Sequence, residues 1–322
     1  MRVAKINRKI AKQSLILEEL VPLIIPDFLK HSESVVPNVL AFNEETSEGW
    51  FLKFADEVEA KLGKEYLPIM RLSDGEYSFI LGNIPPVTYN RGLLNSTLNI
   101  LKYFRSKIRN WGRFKALTFP GVSSGNYSRI EVKKVKESYV KYLKKIAENG
   151  TLALHLTYSV NPFQEQYHYP LQQWLNRNQI PLHAGNYVPF YFVYALLRGS
   201  QKKRLLKSRK ILIVHSATGD KKERIKKTLI RENVSEIFWL SISPDRSLFD
   251  TIDINAYIGN VDLVLVGAGI GKANILVQLE KLKVPCIDAG YVFEVWADED
   301  KKWLRPFMVP DCEWEKEEIK FK

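Results

Sequence analysis

Two carboxylates straddle a glycine at Asp74-Gly75-Glu76, just past Arg71 in "PIMRLSDGEYSFILGN", residues 68–83. Carboxylates two residues apart around a glycine can turn oxygens toward one hard cation. Mg²⁺ and Mn²⁺ take few protein carboxylates and complete their shells with water and phosphate oxygens. Asp74 and Glu76 are therefore candidate ligands for Mn²⁺ or Mg²⁺. Gly75 would let a diphosphate approach the backbone, and Arg71 offers a bidentate phosphate contact, so Arg71, Ser73 and Gly75 are candidate nucleotide-binding positions. The same residues also spell an ordinary strand-to-helix connector, because Ser and Asp cap helices and Asp-Gly is a common turn pair.

A second constellation is "VDLVLVGAGIGKANILVQLEKLKVPCIDAG", residues 261–290. A strand-like run enters Gly267, Gly269 and Gly271, a helix follows, and a further strand ends at Asp288. Glycines there permit close backbone approach, and a helix start offers free N–H groups to a phosphate. The spacing is G-x-G-x-G, so the dinucleotide fingerprint fails, and Val266 and Ala273 rule out a Walker A loop. Two readings stay open for the glycines, a phosphate or nucleoside contact and a plain βα turn. A methyltransferase-like loop with Asp288 as ribose acceptor is an alternative, although such a loop normally opens its domain.

Other positions weigh less. Glu294 sits between Phe293 and Val295 and close to Trp296. Buried there, it would carry the raised pKa of a general base; exposed, it is ordinary. In "ILIVHSATGDKKERIKK", His215 reads as a packed histidine, Asp220 as an N-cap and the lysines as a solvated face. Phe163, Tyr167, His168, Tyr169 and Trp174 could stack on sugar rings, but aromatics at helical spacing are more often core. No nucleophile elbow or His-Glu-x-x-His pair occurs.

These residues need a frame. Short apolar runs, "LPIMRL", "FKALTF", "TLALHL", "ILIVHS", "EIFWLSI", "VDLVLVG" and "VPCID", alternate with amphipathic stretches. The clearest helix follows Ser128, whose capping box with Glu131 precedes an apolar face of Val132, Val135, Tyr139, Leu143 and Ile146; Asn149-Gly150 stops it. Further helices are expected near 48–62, 91–108, 164–178, 188–199, 221–232, 246–257 and 272–283. The alternation predicts an α/β fold, Rossmann-like, with a mostly parallel sheet flanked by helices and a helical N-terminal prefix. Expected divisions are a packed helical extension over 1–60, the main domain over 61–310 and a charged tail over 311–322. In such sheets ligands bind beyond the carboxyl ends of the strands.

The 322 residues carry a net charge of +12, which attracts anions such as nucleotides, acidic glycans or anionic lipid. Charge alone also admits a basic nucleic-acid-binding module, but no recognised motif supports one and no nucleic-acid partner is expected. Two cysteines, Cys286 and Cys312, give no zinc spacing or disulfide framework, and Cys286 reads as a buried strand thiol. The expected location is the cytoplasm, with peripheral membrane contact through the basic N-terminal stretch as an option.

Taken together, "RLSDGEYSFILGN" and "GAGIGKANILVQLEKLKVPCIDAG" resemble the bacterial GT-D fold glycosyltransferases. That family carries an Arg-x-x-Asp-Gly-Glu-like segment after its first strand, then, late in the chain, a glycine turn, a helix and a strand ending in Asp-x-Gly. "VTYNRGLLNSTLNILKYF" is similar to the family's next piece more loosely, and the resemblance spans residues 66–296. It implies a Rossmann-like fold, a nucleoside-diphosphate sugar donor, UDP-linked by expectation, and a divalent metal on the Asp-x-Glu motif, here Asp74 and Glu76. The family's late catalytic glutamate, beside a tryptophan, maps nearest to Glu294. Where the family often has His after Asp-x-Gly, this chain has Tyr291. The implied acceptor is a glycan, acidic or lipid-linked.

Overall fold

A computed structural model describes residues 47–82, 108, 113–114, 127–154, 170–171, 173–183, 185–199 and 201–304. Among them is a seven-stranded sheet in the order β5-β4-β1-β9-β8-β6-β7, every neighbouring pair parallel. Its strands are β1 (Leu67–Arg71), β4 (Thr151–Leu154), β5 (Tyr187–Pro189), β6 (Lys210–His215), β7 (Glu236–Leu240), β8 (Leu263–Gly267) and β9 (Pro285–Asp288). A small antiparallel pair, β2 (Arg113–Phe114) and β3 (Tyr127–Ser128), stands apart. The central strands β1, β4, β8 and β9 are almost wholly buried. That burial is why they read as unbroken apolar runs, since a parallel sheet is covered on both faces.

Two helical layers provide the cover. α3 (Arg129–Asn149) packs on α7 (Lys272–Gln278), and both rest on β1. The other layer runs through neighbouring contacts from α6 (Gly219–Arg231) to α8 (Val292–Ala297), α4 (Phe190–Arg198), α5 (Lys202–Leu206) and α1 (Ser47–Ala60). α2 (Asp74–Leu81) leaves the end of β1. The chain is thus an α/β fold with a mostly parallel sheet between helices and a helix ahead of the first strand. No helix among the described residues is long and apolar enough to cross a membrane.

α3 follows its sequence signals closely. Ser128 N donates to Glu131 Oε2 at 2.8 Å and Glu131 N donates to Ser128 Oγ at 3.2 Å, closing the capping box. Val132, Val135, Tyr139, Leu143 and Ile146 are all buried. Gly150 caps the end of the helix, and a Cβ there would lie 2.0 Å from the Pro68 carbonyl oxygen.

Several expectations need correction. Residues 187–189 form an edge strand rather than a helix start; Pro189 is tolerated there because an edge leaves one side of the strand unpaired. Residues 246–257 contain two 3₁₀ turns instead of a helix. Their polar groups are claimed by α7: Asn274 Nδ2 donates to the carbonyls of Ser247 (3.1 Å) and Asp250 (2.8 Å), and Ile252 N donates to Gln278 Oε1 at 3.0 Å. Residues 272–283 split into α7 and a 3₁₀ turn ending at Lys283 in the left-handed region. Thr218, not Asp220, takes the N-cap of α6. The expected helix over 91–108, apart from Ile108, the run 115–119 of "FKALTF" and the tail 311–322 lie outside the described residues, as do residues 1–46 of the prefix.

Candidate functional site

β1 and β9 lie side by side, so the ends of the two strands that carry the early and late motifs meet at the centre of the sheet. Arg71 closes β1 and Asp288 closes β9. Arg71 Nη2 donates to Asp288 Oδ1 at 3.0 Å, Arg71 Nε to the Asp288 carbonyl at 2.8 Å, and the Arg71 backbone N–H to Asp288 Oδ2 at 3.3 Å. The guanidinium also lies 4.4 Å from the Tyr194 ring centroid and 5.4 Å from that of Phe190. Gly290 makes this possible. Its φ is +47°, and a Cβ there would stand 1.8 Å from Arg71 Nη2. The Asp-x-Gly pattern and the early arginine are therefore two halves of one contact.

Lys272 joins the pair from α7. Its Nζ reaches Asp288 Oδ2 at 2.9 Å and Glu76 Oε2 at 3.1 Å, and Glu76 Oε2 also accepts from Ser73 N at 3.0 Å. Arg71, Glu76, Lys272 and Asp288 are 3%, 2%, 5% and 1% exposed, so four charges that sum to zero are sealed together. Burial opposes ionisation of Asp288, but the guanidinium and ammonium beside it outweigh that and hold its carboxyl below the ordinary range. Burial and the nearby Asp288 raise Glu76, with Lys272 pulling the other way. Burial opposes the Lys272 charge, yet the two carboxylates keep its pKa raised. The buried hydroxyl of Tyr139, with no hydrogen-bond partner among the described residues, feels the charge of Glu76 and Asp288.

Arg71, proposed for a phosphate contact, is buried and paired with Asp288, and Asp288, proposed for a ribose contact, is held by Arg71 and Lys272. Asp74 and Gly75 form the first turn of α2, with Gly75 buried; the Asp74 side chain lies outside the described residues. Glu76, the other candidate metal ligand, has its Oε2 shared by the Lys272 ammonium and the Ser73 amide N–H. Among the described residues no group of three or more His, Cys, Asp or Glu is arranged to hold a metal.

The glycine turn has local reasons for its composition. A Cβ at Gly267 would come within 2.4 Å of His215 Cδ2 and 2.7 Å of Phe293, and one at Gly271 within 2.4 Å of the Ser247 carbonyl carbon. Gly269 sits at φ +52°. Gly267 and Gly271 serve the approach of neighbouring protein, while Gly269 is exposed at the head of the turn.

Beside β8, the end of β6 presents His215. Its Nδ1 accepts from Ala217 N at 2.8 Å, so in the neutral ring Nε2 carries the proton. Burial and the Lys221 ammonium lower its pKa to about 4, against the pull of Glu294. Glu294, on the first turn of α8, is bound by Lys221 and by Lys301 Nζ at 2.6 Å. Burial pushes its carboxyl up, but these two lysines prevail and hold it below the ordinary value. Glu294 is half-buried, so the condition for a raised pKa is not met, and its carboxyl lies on the low side. Lys221, Lys301 and Lys272 escaped the sequence reading. Lys272 had one local signal, its place directly after the glycine turn.

Trp174 packs on the core beside a cavity of about 200 Å³ shared with Phe79, Lys136 and Tyr139; the other aromatics proposed for stacking lie outside the described residues. A larger cavity, about 520 Å³, opens at the amino ends of the strands near Tyr66, Asn149 and Lys283, opposite the end where parallel sheets bind ligands. Cys286 is buried in β9, as expected. Set against protein-family models, curated proteins and solved structures, the chain matches none.

Proposed function

We propose that the chain is a glycosyltransferase that moves a sugar from a nucleoside-diphosphate donor, a UDP-sugar, to a glycan acceptor that is acidic or lipid-linked. The parallel sheet itself gives the coarser statement, an α/β architecture consistent with a nucleotide-binding enzyme. One observation carries the finer reading: the two segments on which the resemblance to GT-D fold glycosyltransferases rests meet at adjacent strand ends, joined by Arg71–Asp288 and Lys272–Glu76. They are 217 residues apart at the Arg71–Asp288 contact, and nothing local in sequence requires them to meet.

In this reading the donor lies in the crevice above β1, β9, β8 and β6. Its diphosphate is placed between the start of α2, where the Ser73 N–H is itself taken by Glu76, and exposed Gly269, with the net positive charge favouring an anion. The buried four-charge group holds these rims in register. Glu294 is assigned as the base: it takes the proton of the acceptor hydroxyl as the new glycosidic C–O bond forms and the sugar–phosphate bond breaks. Its lowered pKa keeps it ionised at neutral pH, the state a base needs, at the cost of basicity.

Calorimetry with UDP, UDP-sugars and S-adenosylmethionine tests the reading. UDP and a UDP-sugar should bind while S-adenosylmethionine does not; the opposite result favours a methyltransferase-like enzyme and ends the proposal. Once a transfer assay exists, Glu294→Gln should slow it by about 10²–10⁴-fold with donor affinity unchanged. An unaltered rate would remove Glu294 as the base.

A further inference from the structure

We infer that Lys272 is an internal counter-ion standing where Glu76 and Asp288 would otherwise hold a divalent cation, so that this carboxylate pair takes no metal in the native protein. Two carboxylate oxygens from different elements, α2 and β9, converge on one point, and the group at that point is the Lys272 ammonium, 3.1 Å and 2.9 Å away. These are hydrogen-bond lengths; a Mg²⁺-sized ion would draw the oxygens to about 2.0–2.1 Å. Both acids are sealed from water, and buried carboxylates left without a cation are costly, so the position demands a positive charge from some source.

The chain supplies that charge covalently. Lys272 follows Gly271, whose missing side chain lets the turn press against Ser247, and Asn274 pins α7 to the same loop. The ammonium is therefore delivered by a segment clamped at both ends of its first turn. Arg71 balances the other oxygen of Asp288, which leaves no net negative charge to recruit a second cation. Shortening Lys272 should thus expose a latent site of hard oxygen ligands, the donor type that Mn²⁺ and Mg²⁺ prefer.

This inference concerns the carboxylate pair alone and is tested without any nucleotide, so it stands or falls separately from the proposed sugar transfer. Thermal melting of the full chain is followed with Mn²⁺, with Mg²⁺ and with EDTA. For the native protein all three curves should coincide, whereas Lys272→Ala should melt lower and regain roughly 5 °C at a saturating Mn²⁺ level, about 100 times its dissociation constant. Lys272→Arg, which keeps the cation, should ignore Mn²⁺. A native protein stabilised by Mn²⁺ and weakened by EDTA would overturn the inference, and so would a folded Lys272→Ala protein that shows no response. If Lys272→Ala does not fold, the native curves and Lys272→Arg still decide the matter.

Discussion

At the scale of single residues, the site is governed by what each buried charge touches. Gly290 is the most exposed to disruption by substitution, since it combines φ +47° with contact to the Arg71 guanidinium. Gly290→Ala should cost about 3 kcal/mol in chemical denaturation, because an alanine is strained at that φ and displaces Arg71 from Asp288. A loss under about 1 kcal/mol would mean that the contact is slack. His215 gives a pH signature. Its folded pKa, about 4, lies below the unfolded value near 6.5, so between these values the unfolded chain binds more protons. Stability is therefore full above about pH 6.5 and falls as pH drops toward 4, by roughly 3 kcal/mol. Denaturant midpoints measured across that range should show the slope, and His215→Gln should flatten it. Asp288, with its lowered pKa, adds a further loss only below about pH 4.

At the scale of elements, legibility in the sequence follows whether the determining contacts are local. α3 is legible because its capping box and its apolar stripe both lie within its own residues. Ser128→Ala should lower stability by about 1 kcal/mol, and Leu143→Ala, on the buried stripe, by about 2–5 kcal/mol, both read from denaturant unfolding. The stretch 246–257 is not legible, because Asn274 and Gln278 of a later helix decide its conformation. β5 is only three residues long and runs straight into α4, so its periodicity merges with that of the helix. The same division runs through the site. The glycine turn and the Asp-x-Gly strand end stand out in the sequence, but the reason for Gly290 is a guanidinium from β1. The pKa of Glu294 is likewise set by Lys221, which reads locally as part of a solvated face, and by Lys301.

At the scale of the whole molecule, the +12 charge and the parallel sheet act together. The sheet directs ligands to its carboxyl ends, and the surface field draws anions toward the protein. UDP association should slow several-fold between about 50 mM and about 200 mM salt in stopped-flow measurements, since screening shortens the reach of the field. A rate indifferent to salt would show that the excess charge lies away from the proposed donor site.

The pairing of β1 with β9 has a consequence for how the protein comes into being. Among the described residues these are the first and last strands of the sheet, yet they are neighbours at its centre. During synthesis Arg71 leaves the ribosome more than two hundred residues before Asp288 and has no carboxylate to meet until the late segment arrives. A growing chain can pair β1 with β4 early, but the edge that awaits β9 stays open, and contacts of such long sequence separation form slowly. The junction of β1 with β9 is therefore a late product: no nascent chain that stops short of Asp288 holds the Arg71–Asp288 pair.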